Sequence, residues 1–164
     1  IKKKNFSADI KIIEDGKEIL NTGGGLLNMI QSLEDHNYLI FNPDTLWGEN
    51  YVDEINQMQN YYFSRKLNNI LLTVNKILSF DKKLEGDFEL KKNLCKRNAI
   101  DKNFIYTGCQ ILNKNLFSGY EVENFSISKI WDDLLKKDEL NGFESQNNFY
   151  HLTDLDVFNK LKDF

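Results

Sequence analysis

Thr22-Gly23-Gly24-Gly25 is the stretch whose residue types most directly suggest chemistry. Three glycines in succession ahead of an amphipathic run leave backbone amides without side chains, able to face an anionic ligand. The apolar run 38–41 then ends at Asn42-Pro43-Asp44. If that run is a strand, Asp44 sits at its carboxyl end, on the sheet edge where open α/β sheets bind ligands. A strand-end aspartate suits Mg²⁺, which is typically held by one or two carboxylates while water and substrate phosphates complete the octahedron. Gly86-Asp87 and Thr107-Gly108 each put a glycine at or in a strand, where backbone or ligand approaches closely. His151 is one of only two histidines and a further candidate ligand. Each feature also has a plain reading: a tight turn, a turn acid, a bulge and a structural histidine.

The elements that must position these residues follow from periodicity. Residues 8–14 read as a strand through Ile10, Ile12 and Ile13, followed by an Asp15-Gly16 turn and a short extended piece at 18–20. Leu26, Leu27, Ile30 and Leu33 recur at helical spacing, so a helix is expected over 26–33. The run 38–41 is continuous enough for a strand buried on both faces. A helix is expected over 52–63 and a buried strand over 70–74. This strand, helix, strand rhythm predicts parallel pairing. Shorter strands are expected at 86–90, 94–97 and 103–112, the first two joined by a hairpin turn at Lys91-Lys92-Asn93. Ser126 or Ser128 is placed to cap a helix whose apolar face is Ile127, Ile130, Trp131, Leu134 and Leu135. Residues 143–152 should return as a strand, and Thr153 with Asp156 resembles a capping box for a last helix through Phe158 and Leu161.

At 164 residues, 41% hydrophobic and 13% aromatic, the chain suits one globular domain with a real core. A net charge of -4 argues against a nucleic-acid binder that relies on bulk positive charge, and Lys2-Lys3-Lys4 reads as a solvated terminus. No run reaches the ~18 apolar residues of a membrane span. Cys95 and Cys109 lie far apart, without CxxC or histidine-rich company, so neither a zinc site nor a disulfide framework is indicated and a reducing cytoplasm fits best.

Taken in order, Leu20-Asn21-Thr22-Gly23-Gly24-Gly25-Leu26, Phe41-Asn42-Pro43-Asp44 with Trp47, Gly86-Asp87-Phe88, Tyr106-Thr107-Gly108-Cys109-Gln110-Ile111-Leu112, Phe125-Ser126 to Trp131 and Phe149-Tyr150-His151 resemble the sugar-phosphate nucleotidyltransferases. The nearest group is the small bacterial enzymes that activate mannose 1-phosphate or N-acetylmuramate 1-phosphate. The resemblance implies an α/β, Rossmann-like nucleotidyltransferase sheet, mostly parallel with antiparallel additions and flanked by helices. It also implies the reaction of a nucleoside triphosphate, UTP or GTP, with a sugar 1-phosphate to give an NDP-sugar and pyrophosphate, assisted by Mg²⁺. By position, Thr22, Gly23, Gly24 and Gly25 would line the nucleotide site. Asp44 would be the catalytic, metal-holding acid, with His151 as a second ligand, and Gly86, Asp87, Thr107 and Gly108 would line the sugar pocket.

The sequence also departs from the pattern of these enzymes. They carry, upstream of the position matching Ile1, a glycine-rich loop with a catalytic arginine and then a lysine, and this sequence holds neither. Asn21 stands where an acid is usual. His151-Leu152-Thr153-Asp154-Leu155 stands where many relatives carry a second metal aspartate. The resemblance therefore implies an amino-terminally incomplete nucleotidyltransferase domain over 1–164, expected to self-associate or to pair with a complementing amino-terminal fragment. The alternatives are a non-catalytic homologue that binds a nucleotide sugar or a protein partner, and a sugar-transferring enzyme of related architecture.

Overall fold

A computed structural model describes residues 8–97 and 101–162, so Lys2, Lys3 and Lys4 lie outside the described residues. Its centre is a four-stranded sheet of β1 (Asn37–Phe41), β2 (Asn69–Asn75), β5 (Phe104–Asn113) and β6 (Gly142–Ser145), in the order β1-β5-β2-β6. β3 (Glu89–Lys91) and β4 (Leu94–Lys96) form a separate hairpin. Lys92 and Asn93 both take positive φ at its turn, 49° and 64°, the geometry of a tight hairpin connection.

The sheet is mixed. β1, β2 and β6 run the same way, but the parallel pairing expected of β1 with β2 is not formed: β5 inserts between them and pairs antiparallel with both. The antiparallel addition therefore lies inside the sheet, and among the described residues only β2 and β6 form a parallel ladder. β2 is buried on both faces, with Ile70, Leu71, Leu72 and Val74 all at 0% exposure. The expectation of two buried faces fails for β1: Tyr38 and Ile40 point inward, whereas Leu39 and Phe41 remain over 40% exposed. Among the described residues β1 has a neighbour strand on one side only, and its second face is half covered.

Helices pack on both faces. α1 (Asn21–Gln31) and α3 (Ser128–Lys136) share a core with Tyr38, Ile40, Leu71 and Leu112. On the other face, α2 (Asn50–Ser64) buries Tyr51, Met58 and Tyr62 against Ile70, Leu72 and Ile111. Inside α2, Glu54 is 9% exposed, and its carboxylate accepts from Ser145 Oγ at 2.6 Å and Gln146 N at 2.7 Å, tying the helix to the end of β6.

Several expected boundaries move, each for a local reason. α1 begins at Asn21, so the glycines form its first turn and do not precede it. Asn21, at φ 60°, turns the chain into the helix, a conformation asparagine tolerates better than most residues. Residues 8–20 form no strand: the segment is irregular, with Ile10 and Ile12 at 61% and 73% exposure. No strand among the described residues pairs with it, and an unpaired strand leaves its main-chain groups unsatisfied. It is held to α1 instead, by Lys11 Nζ donating to Ser32 O (2.5 Å) and Asn28 Nδ2 donating to Glu14 O (3.1 Å). The strand expected over 143–152 ends at Ser145. Beyond it, Phe149 and His151 make only single bridges, to Ser79 and Thr45. The last helix, α4 (Leu155–Leu161), is capped by Asp154, whose side chain accepts from Val157 N at 2.8 Å. Thr153 instead donates to Asp81 Oδ2. Among the described residues no helix is long and apolar enough to cross a membrane.

Candidate functional site

Asp44 stands just beyond the carboxyl end of β1, and the chain around it is fixed from two sides. Asn42 N donates to Gly108 O at 2.8 Å, and Thr45 Oγ1 donates to Thr107 O at 2.7 Å. On the far side Leu46 N donates to Tyr150 O and Leu152 N to Asp44 O, so residues 44–46 run antiparallel to 150–152. This zipper brings together the two metal candidates: Asp44 Oδ1 lies 3.7 Å from His151 Nδ1. Both atoms are enclosed, and among the described residues neither has a hydrogen-bond partner. The imidazole is further held by stacking on Phe149, with centroids 5.7 Å apart and planes within 9°.

Two enclosed ligand-type atoms without partners suit a bound cation or water. Two ligands each ~2.1 Å from one ion are separated by about 3.0 to 4.2 Å, depending on the angle between them, and 3.7 Å falls inside that span. Asp44 and His151 therefore fit two positions around a divalent ion. Among the described residues no group of three or more histidine, cysteine, aspartate or glutamate side chains is placed to hold a metal. The other positions would fall to water and substrate oxygens, the usual pattern for a phosphate-bound ion.

A cleft of about 610 Å³ opens between α1, the end of β1, β5 and the start of α3; Asn42, two residues before Asp44, lines it, whereas Asp44 and His151 do not. Thr22 and Gly25 line it, together with Asn42, Tyr106, Gln110, Ser126 and Trp131. Gly23 and Gly24 play a different part. Both their amides donate to Phe125 O, at 2.8 and 3.1 Å, so they are not free to face an anion. A Cβ on Gly23 would lie 2.4 Å from the Phe125 ring, and one on Gly24 would lie 1.9 Å from Glu123 O. These two glycines are bare so that α1 can press against 123–125. Thr22 Oγ1 accepts from Ile127 N at 3.0 Å, which joins the starts of α1 and α3 at the cleft.

The remaining predicted residues sit around β5. Gly86 permits a close backbone approach, since a Cβ there would be 2.0 Å from Lys102 O. Asp87 Oδ2 accepts from Tyr106 N at 2.9 Å. Thr107 is buried and its hydroxyl donates to Leu72 O. Gly108 takes φ +92°, and a Cβ there would be 2.9 Å from Asn42 Cβ, so it lets the end of β1 close onto β5. None of these four lines the cleft: the two glycines allow close approach of the chain and the Asp87 and Thr107 side chains bond to main-chain groups, whereas Tyr106 and Gln110 line it. Periodicity could have suggested that pair, because strand residues four apart share a face. The Tyr106 phenol is enclosed and unpartnered among the described residues. Burial pushes its pKa well above the usual tyrosine range, with smaller contributions from Cys109 and Asp44.

The mixed sheet flanked by helices on both faces is a fold this chain shares with several solved nucleotidyltransferases. HddC from Yersinia pseudotuberculosis matches over 90% of this chain at 19% identity with a TM-score of 0.63, and it has also been solved complexed with GMP-PN. A UDP-glucose pyrophosphorylase complexed with UDP-glucose matches over 90% at 12% identity and a TM-score of 0.63. The inositol-1-phosphate CTP transferase from T. maritima matches over 76% at 13% identity and a TM-score of 0.58. The chain spans 63%, 62% and 52% of these proteins' own lengths. No protein-family profile matches the sequence, and no curated protein does.

Proposed function

We propose that this chain belongs to a nucleotidyltransferase of the NDP-sugar pyrophosphorylase type, joining UTP or GTP to a sugar 1-phosphate in the cytoplasm. In that reaction a phosphate oxygen of the sugar 1-phosphate attacks the α-phosphorus in line. The new P–O bond forms as the bond to the β-phosphate oxygen breaks, and pyrophosphate leaves with the electron pair. Little covalent work falls to the protein, so positioning and charge neutralisation dominate. A Mg²⁺ ion, when bound, supplies neutralisation at the reacting phosphates. Asp44 and His151 would hold that ion, Thr22 and Gly25 would face the nucleotide, and the Gly86-Asp87 and Thr107-Gly108 main chain would shape the sugar side.

The observation that carries this reading is the 3.7 Å approach of Asp44 Oδ1 and His151 Nδ1, two enclosed atoms without hydrogen-bond partners among the described residues, at a strand end of a nucleotidyltransferase fold. A second reading, in which a nucleotide sugar is bound without transfer, draws support from the Gly23 and Gly24 amides, which are engaged by Phe125 O and so unavailable to a triphosphate. Pyrophosphate release from UTP and GTP with a panel of sugar 1-phosphates and Mg²⁺ separates the two. Transfer that falls at least 100-fold in both Asp44→Ala and His151→Ala supports the enzyme. Undiminished transfer in Asp44→Ala removes the metal role, and tight NDP-sugar binding with no pyrophosphate supports the second reading.

A further inference from the structure

The wall of the cleft formed by β5 and α3 carries a polar group set with unusual care. Gln110 is 2% exposed yet lines the cleft, and its Oε1 accepts from Trp131 Nε1 at 3.2 Å. The indole is itself clamped, edge-on to Tyr106 at 4.9 Å and to Phe88 at 6.3 Å between centroids, so it has little freedom to swing away. An indole N–H can only donate. It therefore holds the oxygen end of the Gln110 amide and leaves the Nε2 end as a donor for whatever fills the cleft. The Tyr106 hydroxyl, at the same wall, likewise has no partner among the described residues.

Charge narrows the occupant. Within the described lining the charged side chains are Lys11 and Asp15, both from the irregular segment before α1, while the surfaces from α1, β1, β5 and α3 are neutral. The β5 and α3 wall that carries Gln110 offers a phosphate no cation, and the Lys11 ammonium is engaged by Ser32 O at 2.5 Å, whereas a neutral ring resting beside the Tyr106 and Trp131 rings would match the surface. Building on the nucleotidyltransferase reading, we infer that Gln110 is a specificity-determining residue that donates a hydrogen bond to an acceptor on the neutral ring of the ligand, with Trp131 as its positioning residue. That acceptor is a base carbonyl or a sugar oxygen. A ligand without it would leave a buried amide donor unpaired, which is how such sites reject near analogues.

The test is calorimetric binding of UDP, GDP, UDP-glucose and GDP-mannose at pH 7.5 to the wild type, Gln110→Glu and Trp131→Phe. Gln110→Glu keeps the shape and the acceptor for Trp131 but loses the donor, so about 10-fold weaker binding is expected, and about 3-fold weaker in Trp131→Phe, where the amide is free to turn. Loss of equal size for a diphosphate and its sugar identifies a base acceptor. Loss confined to the sugar-bearing ligands identifies a sugar oxygen. Either supports the inference, because a purely structural role would lower thermal stability without changing affinity in folded protein. Affinity within twofold of wild type for every ligand overturns it. A wild type that binds none of the four overturns the nucleotide-sugar reading itself, and this inference with it. Should Gln110→Glu not fold, Trp131→Phe carries the test alone.

Discussion

Gly24 and Gly25 are adjacent, chemically identical and both in the first turns of α1, yet alanine at each should act in opposite directions. At Gly24 the new methyl carbon would sit 1.9 Å from Glu123 O, where carbon–oxygen contacts normally begin at about 3.3 Å. The obstacle is backbone, so no rotamer relieves it, and the start of α1 must leave 123–125. That movement breaks the bonds from Gly23 N and Gly24 N to Phe125 O, costing about 2 kcal/mol together. Residual overpacking adds roughly 2 kcal/mol, and alanine's better helix propensity returns about 1 kcal/mol. The net loss is about 3 kcal/mol, or a fall in Tm of about 9 °C for a chain of this size. At Gly25 the nearest atom is Asp15 Oδ1 at 3.5 Å, an ordinary contact, so alanine there should leave Tm unchanged or raise it by up to about 3 °C. Its methyl would enter the cleft, however, and nucleotide affinity should drop about 10-fold, on the order of 1.4 kcal/mol. Thermal melts followed by circular dichroism, with UDP and GDP titrations on the same samples, measure both effects. Gly24→Ala melting within 2 °C of wild type would refute the packing account. Unchanged affinity in Gly25→Ala would refute occupation of the cleft by the nucleotide.

Two more outcomes follow from the titrating groups. Burial pushes the thiols of Cys95 and Cys109 up to about 12, with Glu54 adding to the shift of Cys109. At pH 8 only about one in ten thousand would be thiolate, so neither should react with a disulfide reagent until the chain unfolds, and rapid labelling of native protein would contradict their burial. Asp81 is held below the usual carboxylate range, first by the Lys83 amide at 2.9 Å and then by the Thr153 hydroxyl at 2.8 Å. A depressed carboxylate stabilises the fold above its unfolded pKa, and that contribution is lost as pH falls through the folded one. Urea midpoints of wild type and Asp81→Asn should therefore differ at pH 7 and converge in acid, and a gap that persists below the carboxylate range would count against this assignment.

Much of the architecture was legible from residue spacing, because burial of one face is a local property. Leu26, Leu27, Ile30 and Leu33 marked α1, the run from Ile70 to Val74 marked a buried strand, and Lys91-Lys92-Asn93 marked a hairpin. The delivery of Asp44 to a strand end followed from the same reasoning. What spacing cannot carry is the choice of partner, since a strand of either sense shows the same alternation. β5 therefore entered between β1 and β2 unforeseen, and residues 8–14, strand-like in composition, stayed irregular where no described strand pairs with them. The site shows the same division. Sequence supplied Asp44 and His151 separately, but only the pairing of 44–46 with 150–152 brought their side chains to 3.7 Å. Three consecutive glycines looked alike in sequence, and the tertiary fold alone separated Gly23 and Gly24, pressed against Phe125 and Glu123, from Gly25 at the cleft. Identity of residue type fixes what a position can do, and long-range packing decides which neighbour it does it with.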